Sequence, residues 1–279
     1  MSILEQIISG GQTGADQAAL DTAIKFSIPH GGWITWGRRT EDGPLPEKYQ
    51  LQEMSTTDYP SRTRQNIMNS GGTVILSHGL LTGGSKLTYS FASAAGKPVC
   101  HIDLLNNDIF EAALILNSFL LENQIGVLNV AGPRASQDPA IYFDVKSVIE
   151  STLYLMFLDK EATMGIAIEV PVMDEQGQAH SLDQAVAWID QDLSLKTKMA
   201  MGRMDERGVI DIYFGLMDYI KYRTGLDNVE SPLLERLRRD TKSTVDPVGY
   251  RYTPEDGVMV VVKTLKAYMS KHYTLRILP

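Results

Sequence analysis

A short apolar run that ends in glycines and passes straight into a small-residue helix restricts this chain more than any other feature. Gln6-Ile7-Ile8-Ser9 has the length and character of a buried strand. Gly10-Gly11-Gln12-Thr13-Gly14-Ala15-Asp16 follows without a break, and Ala18, Ala19, Ala23 and Ile24 then recur at helical spacing. The design returns downstream. Gly72-Thr73-Val74-Ile75-Leu76-Ser77 reads as a strand, Thr82-Gly83-Gly84-Ser85 as a loop, and the residues to Ala95 as a second small-residue helix, stopped by Gly96-Lys97-Pro98. Val99–Ile102 and Val127–Val130 are further strands, and the stretches from about Asp108 to Glu122 and from Ala140 to Leu158 are helical. Alternation of this kind predicts an α/β fold, a doubly wound parallel sheet covered on both faces, over residues 1–158.

The second half reads differently. Residues 159–180 lack a long periodicity and are expected to form a linker or hairpin, with Ile166–Val170 as an edge strand and Asp174–Gly177 as a turn. From 181 to 279 the pattern is helical. Ser181 and Gln184 have capping-box spacing. Apolar stripes follow at Leu182, Ala185, Val186, Ile189 and Leu193, then at Ile210, Tyr213, Phe214 and Met217. Ser231-Pro232 and Thr253-Pro254 open two more helices, with Leu233, Leu234 and Leu237 in one and Val258, Val261, Val262, Leu265 and Met269 in the other. A small all-α C-terminal domain is expected. Arg236, Arg238 and Arg239 are read as its solvated face.

Composition narrows the function classes. The net charge of −8 argues against a bulk nucleic-acid binder. One cysteine, Cys100, leaves no internal disulfide and no cysteine zinc cluster, and fits a reducing, cytoplasmic setting. The first residues lack the character of a secretory signal, no run suggests a membrane span, and the five histidines show no ligand spacing.

The loops carry the chemistry. Glycines at a strand-to-helix junction expose backbone N–H groups where the helix dipole is positive, so a phosphate is the natural occupant. Gly10, Gly11, Gln12, Thr13, Gly14 and Asp16 are the first candidates, although Asp16 reads equally as an N-cap. Thr82, Gly83, Gly84, Ser85 and Thr88 are the second set, with Lys86 as an extra anion contact or a solvated charge. Two such loops on neighbouring parallel strands would face one crevice. The irregular stretch Trp33–Tyr49 looks too irregular for core; it offers Arg38 and Arg39 as planar donors, with Glu41 and Asp42 beside them. Trp33 or Trp36 is placed to stack on a heterocycle or to pack in the core. Arg62 and Arg64 complete a basic lining or are plain surface arginines, and Arg134 adds a third anion contact at the same sheet edge or pairs with a carboxylate.

Taken together, Ile7–Asp21 (IISGGQTGADQAALD), His30–Tyr49 with GRRTEDGPLP, Arg62–Ile67 (RTRQNI), Thr82–Thr88 (TGGSKLT) and Asn129–Ser136 (NVAGPRAS) resemble the molybdenum-cofactor carrier family, within the SLOG superfamily of YpsA-like and LOG-type Rossmann-like proteins. The resemblance covers roughly residues 5 to 158 and departs at Ile34-Thr35-Trp36, where relatives often carry a Cys-Pro stretch. It implies a Rossmann-like, homo-oligomeric carrier that holds the molybdenum cofactor, molybdopterin, or a nucleotide-like ligand, through the loop residues named above. No metal ligand and no catalytic residue are assigned. The tail resembles a helical domain of unknown function on Phe214–Leu226 and Pro254–Gly257, and is the place for a protein partner. Two other readings stand beside the carrier. One is a nucleotide-sensing module with the tail as effector. The other is a LOG-type phosphoribohydrolase, against which the second loop speaks: aligned on Gly83 and Gly84, it has Leu87, Thr88 and Ser90 where that motif carries its threonine and final glutamate. Gly11→Val is expected to abolish ligand binding by filling the approach to the first loop, a loss read in a binding titration.

Overall fold

The computed structural model describes residues 4–164, 168–174, 176–241 and 252–273. The chain divides into two compact units, Met1–Ala162 and Thr163–Pro279. In chain order the first contains β1 (Gln6–Ile8), α1 (Ala15–Lys25), β2 (His30–Gly31), β3 (Trp33–Ile34), β4 (Arg39–Thr40), β5 (Gly43–Pro44) and β6 (Gln52–Glu53). It continues with α2 (Tyr59–Met68), β7 (Gly72–Ser77), α3 (Gly83–Ala94), β8 (Val99–Asp103), α4 (Ile109–Glu122), β9 (Val127–Ala131) and all but the last two residues of α5 (Ile141–Met164).

Five strands form one parallel sheet in the order β2-β1-β9-β7-β8. Counted from β9 as first, that order is 3-2-1-4-5, the doubly wound arrangement. The chain therefore enters the fold at its second strand and supplies the first one last, which is a circular permutation. The strands bearing the two glycine loops, β1 and β7, are not neighbours as expected; β9 lies between them. Strand order is a tertiary choice that local periodicity does not encode.

The residues explain the layering. All six residues of β7 are buried, as a central parallel strand requires. Ala15, Ala18, Ala19 and Ala23 of α1 are fully buried, so that helix lies close against β1 and β9. Two buried polar contacts fix the register around β9: Ser9 Oγ donates to Val130 O at 2.7 Å, and Asn129 Nδ2 to Thr73 Oγ1 at 3.1 Å. Gly132, just beyond β9, leaves no room for a methyl group. A Cβ there would stand 2.5 Å from Leu76 O and 2.6 Å from the Ala15 Cβ.

The stretch expected to be too irregular for core belongs to it in part. Ile34, Leu45, Tyr49 and Leu51 pack with Leu20 in one buried cluster. Arg38, at φ 50°, holds the loop together: its guanidinium donates to Leu45 O, Pro46 O and Tyr49 O at 2.8–3.1 Å and to Leu51 O at 3.4 Å. Burial and the neighbouring Asp21, which accepts from its hydroxyl, push the Tyr49 phenol far above its ordinary range. Short pairs β3–β6 and β4–β5 complete this region.

The second unit contains α6 (Leu182–Asp192), α7 (Leu195–Arg203), α8 (Gly208–Thr224), α9 (Pro232–Thr241) and α10 (Pro254–His272). Val258, Val261, Val262, Leu265 and Met269 of α10 are fully buried and face α6, α7 and α8. The α8 stripe is displaced from the expected one. Val209, Ile212, Tyr213, Leu216 and Ile220 are buried, while Ile210, Phe214 and Met217 are only half-buried, because adjacent apolar residues fit two helical faces equally well. The sequence reading did not separate α7, whose N-cap Ser194 accepts from Thr197 N. Arg236 and Arg239 are exposed, as expected of a solvated face, whereas Arg238 is half-buried and donates to Tyr252 O and Val229 O. Ile168–Val170 form no strand, and Ile166, Ala167 and Glu175 of the expected edge strand and turn lie outside the described residues.

Gly132→Ala should lower the stability of the first unit by about 1–3 kcal/mol, because only backbone and a helix methyl line the space. Gly84→Ala, in open space on α3, should be neutral or slightly stabilising. Urea unfolding followed by circular dichroism compares the two.

Candidate functional site

In a doubly wound sheet the ligand crevice lies beyond the carboxyl ends of the strands, where the order reverses. Here that point falls between β9 and β7. The loops after β9 (132–140) and β7 (78–82) flank it, and the first glycine loop adjoins it on the β1 side.

The first loop is closed rather than open. Residues 7–16 are all buried. Gly14, the N-cap of α1 at φ 76°, lies against the β9 loop so tightly that a Cβ would stand 2.6 Å from Pro133 O. Ala15 N donates to Pro133 O at 3.3 Å, and Ala135 N to Thr13 Oγ1 at 3.2 Å. Asp16 is not the N-cap; its carboxylate accepts from Gln12 N at 3.1 Å and lies 3.7 Å from Arg62 Nη1. Complete burial raises the Asp16 pKa, and the attraction of Arg62 and the bond from Gln12 offset that only in part. The Arg62 guanidinium covers Gly10, where a Cβ would overlap it. Gly11 faces Leu45, Leu51 and Ile34, not open space. Gly11→Val will therefore unseat this apolar cluster, and any loss of binding will come with a loss of thermal stability.

Among the described residues, two donors at this loop are buried with no partner: Gln12 Nε2 and Arg62 Nε. Gln12 Oε1, on the same amide, accepts from Thr13 N at 3.1 Å and Glu41 N at 2.9 Å. A buried donor left unpaired is costly, about 1–3 kcal/mol, and calls for an acceptor.

Glu41 reaches the site from the β4–β5 turn. Its Oε1 accepts from the Thr13 hydroxyl and from Ser136 N at 3.0 Å, and its Oε2 from the Ser136 hydroxyl at 2.5 Å. Arg134 Nε stands 3.9 Å from Oε2. Desolvation would raise this carboxyl, but the bonds from Ser136 and Thr13, with Arg134 nearby, outweigh it and hold the group below its ordinary range.

The second loop is exposed. Thr82, Gly83, Gly84 and Lys86 face solvent, and the N-cap Thr82 makes no side-chain capping bond. Ser85 and Thr88 are buried, with the Thr88 hydroxyl bonded to Gly84 O at 2.9 Å. Of the other candidates, Arg39 and Asp42 are exposed on the β4–β5 hairpin, Arg64 lies over the Phe91 ring at 4.2 Å, and Trp33 Nε1 donates to Asn69 Oδ1 at 2.6 Å. Trp36 is 55% exposed. His78 escaped the sequence reading. Its Nδ1 stands 2.7 Å from Asp138 and its Nε2 3.2 Å from Asp144, so it fastens the β7 loop to the β9 loop and to α5. The available signal was its position directly after a parallel strand.

The topology and loops define a circularly permuted, doubly wound α/β unit with a polar cluster at its strand-end edge. Residues 7–153 match the model of the circularly permutated YpsA SLOG family, and the chain belongs to that family. The chain is also similar to a crystal structure titled "Putative molybdenum carrier protein" from Syntrophus aciditrophicus SB. The two chains are 54% identical, the match covers 54% of this chain and 96% of that one, and the TM-score is 0.54. No curated protein matches. Among the described residues, no helix is long and apolar enough to cross a membrane.

A raised Asp16 pKa has a signed consequence for stability. The folded state binds the proton more tightly than the unfolded one, so the contribution is fully present below the ordinary value of 3.8 and is lost as pH rises through the raised value. The melting temperature of the native protein minus that of Asp16→Asn should therefore fall as pH rises above the ordinary value of 3.8. A difference that grows with pH would mean that Arg62 dominates over burial.

Proposed function

We infer that the first unit binds a small phosphate-bearing molecule across the strand-end edge of its sheet and holds it without transforming it, and that the ligand is the molybdenum cofactor or a nucleotide-like relative. The observation that carries this reading is the pair of buried, unpartnered donors, Gln12 Nε2 and Arg62 Nε, beside a loop that also gathers Thr13, Ser136 and Arg134. Size favours an extended ligand. The first and second glycine loops follow strands two positions apart, a span of ~10 Å at ordinary strand spacing. A lone phosphate cannot touch both loops, whereas a pterin phosphate or a nucleotide can. Gly83, Gly84, Ser85 and Lys86 then serve one end of the ligand, and Gln12, Thr13, Arg62 and Arg134 the other. Holding rather than hydrolysis is favoured because the sequence Gly83–Ala94 of α3 carries no carboxylate. The molybdenum cofactor is favoured because the 54% identical structure bears the molybdenum carrier title.

Self-association belongs to the same proposal. Phe110, Leu114 and Leu121 of α4 are exposed on one helix and provide an apolar face suited to a second copy.

The test is co-purification. Protein made in a host that synthesises molybdenum cofactor is denatured and oxidised, and the released pterin is read by fluorescence. Pterin in amounts comparable to the protein is expected, with a loss of about tenfold or more in Arg62→Met, which removes both the charge and the unpaired donor. Absence of pterin, together with no protection of added cofactor, would defeat the carrier reading. A thermal shift with nucleoside phosphates alone would move the assignment to a nucleotide-sensing module.

A further inference from the structure

Glu41 was expected among the ligand contacts, and its geometry gives it another role. Its carboxylate takes up the Thr13 hydroxyl and both donors of Ser136, with Arg134 at its flank. These groups come from three separate segments: the first glycine loop, the β4–β5 hairpin and the loop after β9. A hydroxyl, a backbone N–H, a second hydroxyl and a guanidinium form a donor set suited to an oxyanion, and the chain has filled it with its own acid. An independent observation points the same way. Gln12, 7% exposed, holds Glu41 N–H with its amide oxygen while the amino group on the same carbon has no partner.

We propose that Thr13, Ser136 and Arg134 form an oxyanion subsite in which Glu41 is the resident occupant, and that a tetrahedral oxyanion of the ligand binds there by displacing it. The proposal rests on the binding reading above and deepens it. Displacement, rather than addition, follows from charge: an oxyanion on the same donors would lie within a few ångströms of the carboxylate, where like charges repel strongly. The hairpin is built to give way. Arg38 anchors its root through carbonyls of residues 45–51. Among the described residues, the hydrogen bonds from the 40–43 tip to the rest of the unit run through the Glu41 carboxylate and the Glu41 N–H, the remaining ones being internal between Thr40 and Asp42 or Gly43. Releasing the carboxylate therefore loosens the tip, which stays tethered through Glu41 N–H to Gln12 Oε1, without disturbing the apolar cluster beneath it.

Titration calorimetry with inorganic phosphate and with molybdate, on the full chain, measures the exchange directly. Glu41→Ala should bind either oxyanion about tenfold more tightly than the native protein, and Glu41→Gln, which keeps the shape but not the charge, should fall between them. The gain should vanish in Glu41→Ala/Ser136→Ala, which a merely loosened protein would not explain. Hydrogen exchange across residues 37–45 should quicken when the native protein binds the oxyanion and should already be fast in Glu41→Ala. A folded Glu41→Ala that binds no more tightly than native, or a native hairpin whose exchange slows on binding, would overturn the proposal. The two readings fail separately. Tighter oxyanion binding in Glu41→Ala with no co-purified pterin keeps the subsite and removes the cofactor, whereas pterin retained with no oxyanion gain keeps the binding reading and removes the displacement.

Discussion

Everything at the strand-end edge depends on β9 inserting between β1 and β7. Without β9, β1 would pair only with β2, and β7 only with β8, and the sheet would fall into two separate ribbons. The closing strand is more than a hundred residues from the first, and loop-closure entropy opposes its docking before any contact rewards it. Parallel pairing on both sides, the Ser9 and Asn129 side-chain bonds and the alanine face of α1 together offset that. A one-residue slip of β9 would carry Asn129 away from Thr73 and leave its buried amide unpaired, so these polar groups select register as much as they add stability.

The same insertion explains why the first glycine loop is closed. With β9 beside β1, the segment after β9 passes directly over the start of α1. Gly14 is needed for that contact, both for its positive φ and because Pro133 O stands where a side chain would be. The loop and the helix N-terminus then commit part of their donor capacity to protein: Ala15 N goes to Pro133 O, and Gln12 N in the loop to Asp16. What remains for a ligand is side-chain chemistry, with Thr13, Ser136, Arg134 and the unpaired Gln12 and Arg62 donors, rather than the bare backbone cradle that glycines suggest.

Local signals were legible in the sequence and non-local ones were not. Strand β7 and the helices that follow the glycine loops could be read from runs of apolar residues and from the Gly-Lys-Pro stop, because those cues act within a few residues. The strand order could not, since two glycine-loop strands look alike whether they are adjacent or separated. Arg38 and Arg39 show the limit at the level of a site. Side by side in sequence, one is turned inward by a positive φ and saturated by carbonyls, while the other is exposed. Composition marks both as anion ligands, and only the backbone separates them. His78 was invisible for a related reason: its carboxylate partners lie 60 or more residues away.

Glu41 also bears on the choice between holding a ligand and cleaving it. The LOG-type motif would put a carboxylate on the helix of the second glycine loop, and this chain has none there. Glu41 supplies a carboxylate near the first loop instead, but its oxygens are already committed to two hydroxyls and a backbone N–H. A general base needs a free lone pair and an affinity for protons near the working pH. Here three hydrogen bonds take up most of the carboxylate's acceptor sites and hold the pKa below the ordinary carboxylate range, so the group is a weak base in this position. An acceptor this well satisfied behaves as a plug for donors rather than as an acceptor of substrate protons, and an edge of the sheet built from donors and closed by such a plug is suited to holding an anion.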